Sequence, residues 1–310
     1  MINRNSRIYI AWHNWLVGSA VVRLLKSEWY NNLIVKSHSE LNLLNQNDVN
    51  DFFEKEKPDA VILCAAKVWW VAVNSEYPYE MLYENIQIEC NVINFANKYW
   101  VNDLIFLASS TIYPLECEQP IDEKVLLNWN LDPLHESYWL SKIIWIKLCE
   151  KINKEYNKNY FTLVPTNIYW IWDHFEWTKA HVIWSLINRF YNAKINWDKE
   201  IFVRWTWNAL REFVFADDVA NACLYFLSNW TIWNSFINIW TEDEISIHDL
   251  AYMIKEIVWY EWNIIFDTTK PEWRLRRKLN NNLAKTLWRE AKTSLKIWLQ
   301  LMYQYFLETK

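Results

Sequence analysis

The stretch Ile8-Tyr9-Ile10-Ala11-Trp12-His13-Asn14-Trp15-Leu16-Val17-Gly18 decides the fold. An apolar run of strand length enters it, an amphipathic segment of helix length leaves it, and a short turn joins them. Tryptophan fills the two turn positions where a tight bend asks for a residue without Cβ. The chain holds one glycine and 24 tryptophans in 310 residues, where an average composition of about 7% glycine would give roughly 22. Trp69-Trp70, Trp170-Ile171-Trp172 and Trp205-Thr206-Trp207 repeat the pattern at other strand ends. Composition and position together predict that many of these tryptophans are glycines in the working protein. A codon read as tryptophan in one genetic code and as glycine in another, UGA foremost, would produce the exchange. With glycine restored, the first loop reads A-G-H-N-G-L-V-G. Such a turn lays a pyrophosphate on the N-terminus of the next helix, where free N–H groups and the helix dipole favour anions. With indoles at Trp12 and Trp15, that space is filled.

Outward from this turn, strand-length apolar runs alternate with amphipathic helices. The strands expected are Arg7–Ala11, Asn32–Lys36, Ala60–Cys64, Asp103–Ala108 and Tyr160–Pro165. The helices expected between them are Val17–Trp29, Gln46–Lys55, Tyr79–Lys98 and Tyr138–Lys158. This alternation predicts an α/β fold, a Rossmann-type doubly wound parallel sheet with helices on both faces. Leu250–Val258 and Leu295–Leu307 read as later helices in a region with fewer strand signals. The expected division is a dinucleotide-binding domain over 1–165 and a smaller α/β substrate lobe over 166–310, with some of the later elements returning to the main sheet.

A net charge of −5 offers no basic footprint for nucleic acid. Cys64, Cys90, Cys117, Cys149 and Cys223 are odd in number and widely spaced, which argues against a disulfide framework or a zinc site. No run approaches the ~18 apolar residues of a membrane span, and the first residues lack the apolar core of a signal peptide. A soluble cytoplasmic protein is expected.

Chemistry is expected just after the strands, since doubly wound sheets bind ligands at their carboxyl ends. Lys36 and His38 close the second strand where an acidic residue would read a ribose 2′-hydroxyl. Cations there suit a 2′-phosphate and favour NADP(H) over NAD. Ser109-Ser110-Thr111-Ile112-Tyr113-Pro114 follows the fourth strand. Tyr138-Trp139-Leu140-Ser141-Lys142 then puts a phenol and an ammonium on one helix face. A nearby ammonium would lower the phenol's pKa and make Tyr138 an acid/base near neutral pH.

The order of loop, Ser-Ser-x-Ile-Tyr-Pro and Tyr-x-x-x-Lys resembles the extended short-chain dehydrogenase/reductases over about residues 6–308. Within them the chain is most similar to the epimerase/reductases of GDP-sugars. The stretches that carry this are Ala65-Ala66-Lys67-Val68-Trp69-Trp70, Tyr83-Glu84-Asn85, Glu89-Cys90-Asn91-Val92-Ile93, Pro165-Thr166-Asn167-Ile168-Tyr169-Trp170, His181-Val182-Ile183, and Arg211-Glu212-Phe213 followed by Asp217-Asp218. Tryptophan falls on family glycines at many of these places, Trp100 and Trp240 among them.

The resemblance implies an NADPH-dependent 3,5-epimerase/4-reductase that converts GDP-4-keto-6-deoxymannose to GDP-L-fucose. Ser109 would bind the C4 keto oxygen and Tyr138 would donate the proton. Lys142 would hold the nicotinamide ribose, and His181 would serve as an acid in epimerisation. The cofactor would lie against Trp12, His13, Asn14, Trp15, Leu16, Val17, Lys36, His38, Ala65, Lys142, Pro165, Asn167, Ile168 and His181. Arg189, Arg204 and Arg211 would bind the sugar nucleotide. A homodimer joined through Tyr79–Lys98 and Tyr138–Lys158 is implied too. The family has a cysteine, the epimerisation base, where this chain has Thr111. Arg204 stands where the family often has tryptophan, and Arg274–Lys278 follows the family pattern only loosely. Two other readings stay open: a different NDP-sugar epimerase or dehydratase of this fold, or a non-catalytic nucleotide-binding protein should the tryptophans be real.

Overall fold

A computed structural model describes residues 2–64, 76–128, 136–170, 182–203, 209–229, 235–239, 244–267, 275–288 and 294–309. They form two compact units. The first comprises Met1–Pro165, Ala216–Ile239 and Asn280–Arg289, and the second Thr166–Phe215, Trp240–Leu279 and Glu290–Lys310.

The first unit is built on a six-stranded parallel sheet. Its strands are β1 (Ile8–Ala11), β2 (Leu33–Val35), β3 (Ala60–Leu63), β4 (Asp103–Leu107), β5 (Asn159–Pro165) and β9 (Phe236–Ile239), in the spatial order β2-β1-β3-β4-β5-β9. Between them run α1 (Leu16–Ser27), α2 (Gln46–Glu56), α3 (Pro78–Lys98) and α4 (Glu136–Tyr156), with α6 (Ala216–Ser228) leading into β9 and α8 (Asn282–Leu287) following it. β1, β3 and β4 are buried along their whole lengths. This is what helices on both faces of a parallel sheet impose, and it is why these strands read as unbroken apolar runs. The order reverses on either side of β1, so the loop after β1 opens at the switch point where doubly wound sheets bind ligands. The parallel Rossmann-type sheet is the fold class expected.

The second unit carries β6 (Asn167–Tyr169), β7 (Glu200–Val203), β8 (Leu210–Phe215), β10 (Glu244–Ser246) and β11 (Asn263–Phe266). β8 lies between β10, antiparallel to it, and β6, parallel to it, while β7 pairs in parallel with β11. Helices α5 (Val182–Ile195), α7 (Ile247–Val258) and α9 (Leu295–Thr309) complete it.

The crossing of β1 and α1 is set by one residue. A Cβ on Gly18 would lie 2.2 Å from the Trp12 carbonyl oxygen and 3.0 Å from His13 Cα. Only glycine lets the first turn of α1 sit this close to the end of β1. Val17, Ala20, Val21 and Leu25 on the same helix are buried.

The helix C-termini are equally constrained. α1, α3, α5 and α7 are each followed by a residue in the left-handed region: Trp29 (φ 65°), Trp100 (φ 64°), Trp197 (φ 60°) and Trp259 (φ 60°). Trp29 N–H donates to Lys26 O and Tyr30 N–H to Leu25 O. These two bonds make a Schellman motif, in which the left-handed position is ordinarily glycine.

Gly18→Ala is expected to cost about 1–3 kcal/mol of overpacking strain, read as a lowered urea midpoint. A neutral outcome would mean that the helix does not need this close crossing.

Candidate active site

The chemistry-bearing residues of the first unit lie at the carboxyl ends of β1, β2 and β4 and on the first turns of α4. Trp12, at φ 59°, ends β1. Its carbonyl accepts the Trp15 N–H at 3.1 Å, and Trp15 then precedes α1 without a side-chain cap on the helix N–H groups. The two indole rings lie 5.3 Å apart. His13 is half-buried, with Nδ1 lacking a hydrogen-bond partner, while Asn14 is exposed, Leu16 half-buried and Val17 buried. The uncapped N-terminus and the close approach at Gly18 suit a pyrophosphate, but the indoles at 12 and 15 do not. The residues as they stand therefore fail to fit a dinucleotide at this loop, and glycine at both positions would remove the obstacle.

Trp12 and His38 share a pocket with Leu41, Asn42, Leu43 and Glu84. At the end of β2, Glu40 is occupied locally: it accepts from Ser37 N–H at 2.8 Å and from Ser37 Oγ at 2.6 Å. These bonds, with burial opposing them, hold the Glu40 carboxyl below the usual range, and Lys36 and His13 lower it further. Lys36 is thus a cation beside this carboxylate.

After β4 the chain turns through a short 3-10 segment, Ser110–Ile112, capped by Ser109. Thr111 Oγ1 donates to Ser109 Oγ at 2.9 Å, and Thr111 N–H reaches the same oxygen at 3.3 Å. With its oxygen accepting both, Ser109 keeps its own hydroxyl proton to donate outward.

Tyr138 opens α4, and Lys142 stands one turn on. Lys142 is 1% exposed. Its Nζ lies 3.1 Å from Oε1 of Glu89 and 3.4 Å from the Leu107 carbonyl, and it packs over the Phe106 ring at 4.5 Å and the Tyr138 ring at 5.6 Å. Glu89 comes from α3 and is fully buried. Burial pushes its carboxyl up to about 8 against the pull of Lys142. Burial likewise lowers Lys142, with Glu89 opposing.

This geometry corrects the expectation for Tyr138. Burial raises its pKa, and the charge of Glu89 raises it further. The Lys142 ammonium is turned toward Glu89 at 3.1 Å and does not act on the phenol as a lone charge. Glu89 is the residue that sequence reasoning missed as a site residue. The signal was its place on the apolar stripe of α3, with Asn85, Val92 and Ala96, where a carboxylate must find a cation. Cys64, just past β3, also faces this pair, and burial drives its thiol up to about 12.

The second unit holds the remaining predicted residues. Asn167 Nδ2 donates to the Glu212 carbonyl at 2.8 Å, and Ile168 follows it on β6. Arg189 on α5 donates to the Phe202 carbonyl, and Arg211 on β8 donates to the Leu210 carbonyl at 2.8 Å. Pro165 ends β5 in the first unit and is buried. Ala65, His181 and Arg204 lie outside the described residues. The described residues contain no group of His, Cys, Asp and Glu side chains placed to hold a metal ion.

Residues 8–235 match the profile of the NAD dependent epimerase/dehydratase family. The chain belongs to this family. It is 38% identical to the putative GDP-L-fucose synthase 2 of Arabidopsis thaliana, over 99% of this chain and 94% of that one. It is 37% identical to the GDP-L-fucose synthase of Escherichia coli K12, over 98% and 97% of the two chains. Among solved structures, MlghC of Campylobacter jejuni, a GDP-mannoheptose C4 reductase with NADP bound, superposes with a TM-score of 0.92 at 29% identity, over 99% of this chain and all of that one.

Lys142→Met is expected to destabilise the fold by about 3–5 kcal/mol at high pH, since it strands a buried carboxylate. Glu89 binds its proton more tightly in the folded chain than the unfolded value of about 4.3. Stability from this group is therefore full at low pH and is lost as pH rises through about 8. Urea unfolding should show a small loss at pH 5 and a large one at pH 8, with recovery on adding Glu89→Gln. An equal loss at both pH values would contradict the pairing.

Proposed function

We propose that the protein is an NADPH-dependent reductase of GDP-4-keto-6-deoxymannose that forms GDP-L-fucose, with epimerisation at C3 and C5 preceding reduction. The observation that carries this is the set Ser109, Tyr138 and Lys142 at the carboxyl ends of a parallel sheet, beside the uncapped N-terminus of α1, which would accept a pyrophosphate with glycine at positions 12 and 15. The curated relatives at 37–38% identity, named GDP-L-fucose synthases, support the substrate. The NADP-bound C4 reductase among the structural relatives supports the cofactor.

With glycine at positions 12 and 15, the β1 turn and Lys142 would hold the nicotinamide cofactor, which would supply the hydride to C4. The chain's own residues do the rest. Ser109 donates its hydroxyl proton in a hydrogen bond to the C4 keto oxygen, having its own oxygen occupied by Thr111. Tyr138 gives its proton to that oxygen as charge develops there. A reductive step needs a phenol at neutral pH rather than a phenolate, and the raised pKa of Tyr138 keeps it in that form. Lys142 is held behind Tyr138 by Glu89, and its proposed role is to hold the nicotinamide ribose. His181 is the proposed acid for epimerisation, and Arg189, Arg204 and Arg211 the proposed contacts to the sugar nucleotide. The proposed homodimer contact includes the exposed side chains Tyr79 and Tyr83 of α3, whose rings stack 5.7 Å apart, and Leu140 and Ile144 of α4.

Thr111 favours a second reading in which the protein reduces without epimerising. A threonine hydroxyl committed to Ser109 makes a poor carbon base, whereas a thiol supplies thiolate near pH 8.5.

The test is NADPH oxidation with GDP-4-keto-6-deoxymannose, followed by sugar analysis after reaction in D2O. Net oxidation is expected, with Tyr138→Phe lowering kcat by about 10²–10⁴-fold and Thr111→Cys raising deuterium uptake at C3 and C5. A protein that turns the sugar over without consuming NADPH would be an epimerase or dehydratase instead. A 4-reduced product without label would establish the second reading.

A further inference from the structure

We propose that the protein made in its own host carries glycine at positions 12, 29, 100, 197 and 259, where this sequence has tryptophan. The backbone carries the argument independently of composition. Five of the eight non-glycine residues at positive φ among the described residues are tryptophans, Trp12, Trp29, Trp100, Trp197 and Trp259, with φ between 59° and 65°. A side chain there brings Cβ against the neighbouring carbonyl, and bulky residues rarely adopt the conformation.

Four of the five share one architecture. Trp29 and Tyr30 donate to Lys26 and Leu25, and Trp100 and Val101 to Asn97 and Ala96. Trp197 and Asp198 donate to Lys194 and Ala193, and Trp259 and Tyr260 to Glu256 and Lys255. In every case the tryptophan N–H closes the shorter bond and the following N–H the longer one, which is the Schellman pattern at the position where helices place glycine. The indoles gain little burial in return for the strain: Trp29, Trp100, Trp197 and Trp259 are 75–79% exposed, with Lys158 over the Trp100 ring and an edge contact between Trp197 and Trp262. A natural tryptophan is retained because it buries its ring.

The fifth position is functional. Trp12 stands at the proposed cofactor turn, its ring 5.3 Å from that of Trp15, where the backbone should approach a pyrophosphate. Gly18 survives in the same motif and shows what the turn needs, since no Cβ fits against the Trp12 carbonyl. The common cause is a codon that the host reads as glycine. The reading joins the misfit at the cofactor turn and the helix ends into one explanation. It deepens the proposed function by returning the loop to a form that admits the dinucleotide.

The test is the mass of tryptic peptides Ile8–Arg23 and Ser27–Lys36 from protein isolated from its native host. Glycine at 12, 15 and 29 is the expected result, and tryptophan at 12 or 29 would overturn the proposal. In recombinant protein, Trp29→Gly and Trp259→Gly are each expected to raise Tm, and a lowered Tm would also count against it. Neither readout depends on catalysis, so failure here stays separate from failure of the assigned reaction.

Discussion

The close approach of α1 to the end of β1 is the contact on which the rest of the first unit depends. At that crossing the Trp12 carbonyl and the Gly18 Cα face each other with no room for one more carbon. The approach aims the N-terminus of α1 past the carboxyl edge of the sheet. That edge is where the strand order reverses and where Ser109 and Tyr138 follow β4 and open α4. A dipole, a set of N–H groups and the phenol proposed as the acid thus lie at one edge of one sheet. Chemistry in this fold is a matter of what the loops at that edge allow.

Behind the acid residue lies a charge problem solved by burial. A lysine beside a tyrosine would ordinarily draw the phenol toward phenolate. Glu89 faces the same ammonium from α3, 3.1 Å away, in a site that water does not reach. The raised pKa of Tyr138 and the lowered pKa of Lys142 are two consequences of that burial. The arrangement keeps the phenol as a proton donor. A buried pair of this kind adds little stability by itself, yet it is costly to break from one side. It thus fixes Lys142 in place more than it strengthens the fold.

The parallel sheet was readable from the chain because β1, β3, β4 and β5 are buried on both faces, so their runs are almost wholly apolar, with Thr162 the polar residue inside β5. The strands of the second unit were not readable. β6 and β10 are three residues each, and β7 alternates exposed and buried positions along four residues. Such segments are too short for periodicity to separate strand from loop. The motifs Ser109–Pro114 and Tyr138–Lys142 announced themselves by spacing. Glu89 did not, because its partner lies 53 positions away on another helix and only the packing of α3 against α4 joins them. The direction of the Tyr138 shift was missed for the same reason: spacing along one helix reveals the ammonium and hides its counter-ion.

Dinucleotide binding at the β1 turn depends on the side chains at positions 12 and 15. The most direct measurement is NADPH titration, followed by calorimetry, of the chain as written and of its Trp12→Gly/Trp15→Gly variant. Binding by the glycine form with none by the tryptophan form is the expected result. Equal affinity in the two forms would show that the indoles do not obstruct the turn. Absence of binding in the glycine form would contradict the assignment of this strand-turn-helix as the dinucleotide site.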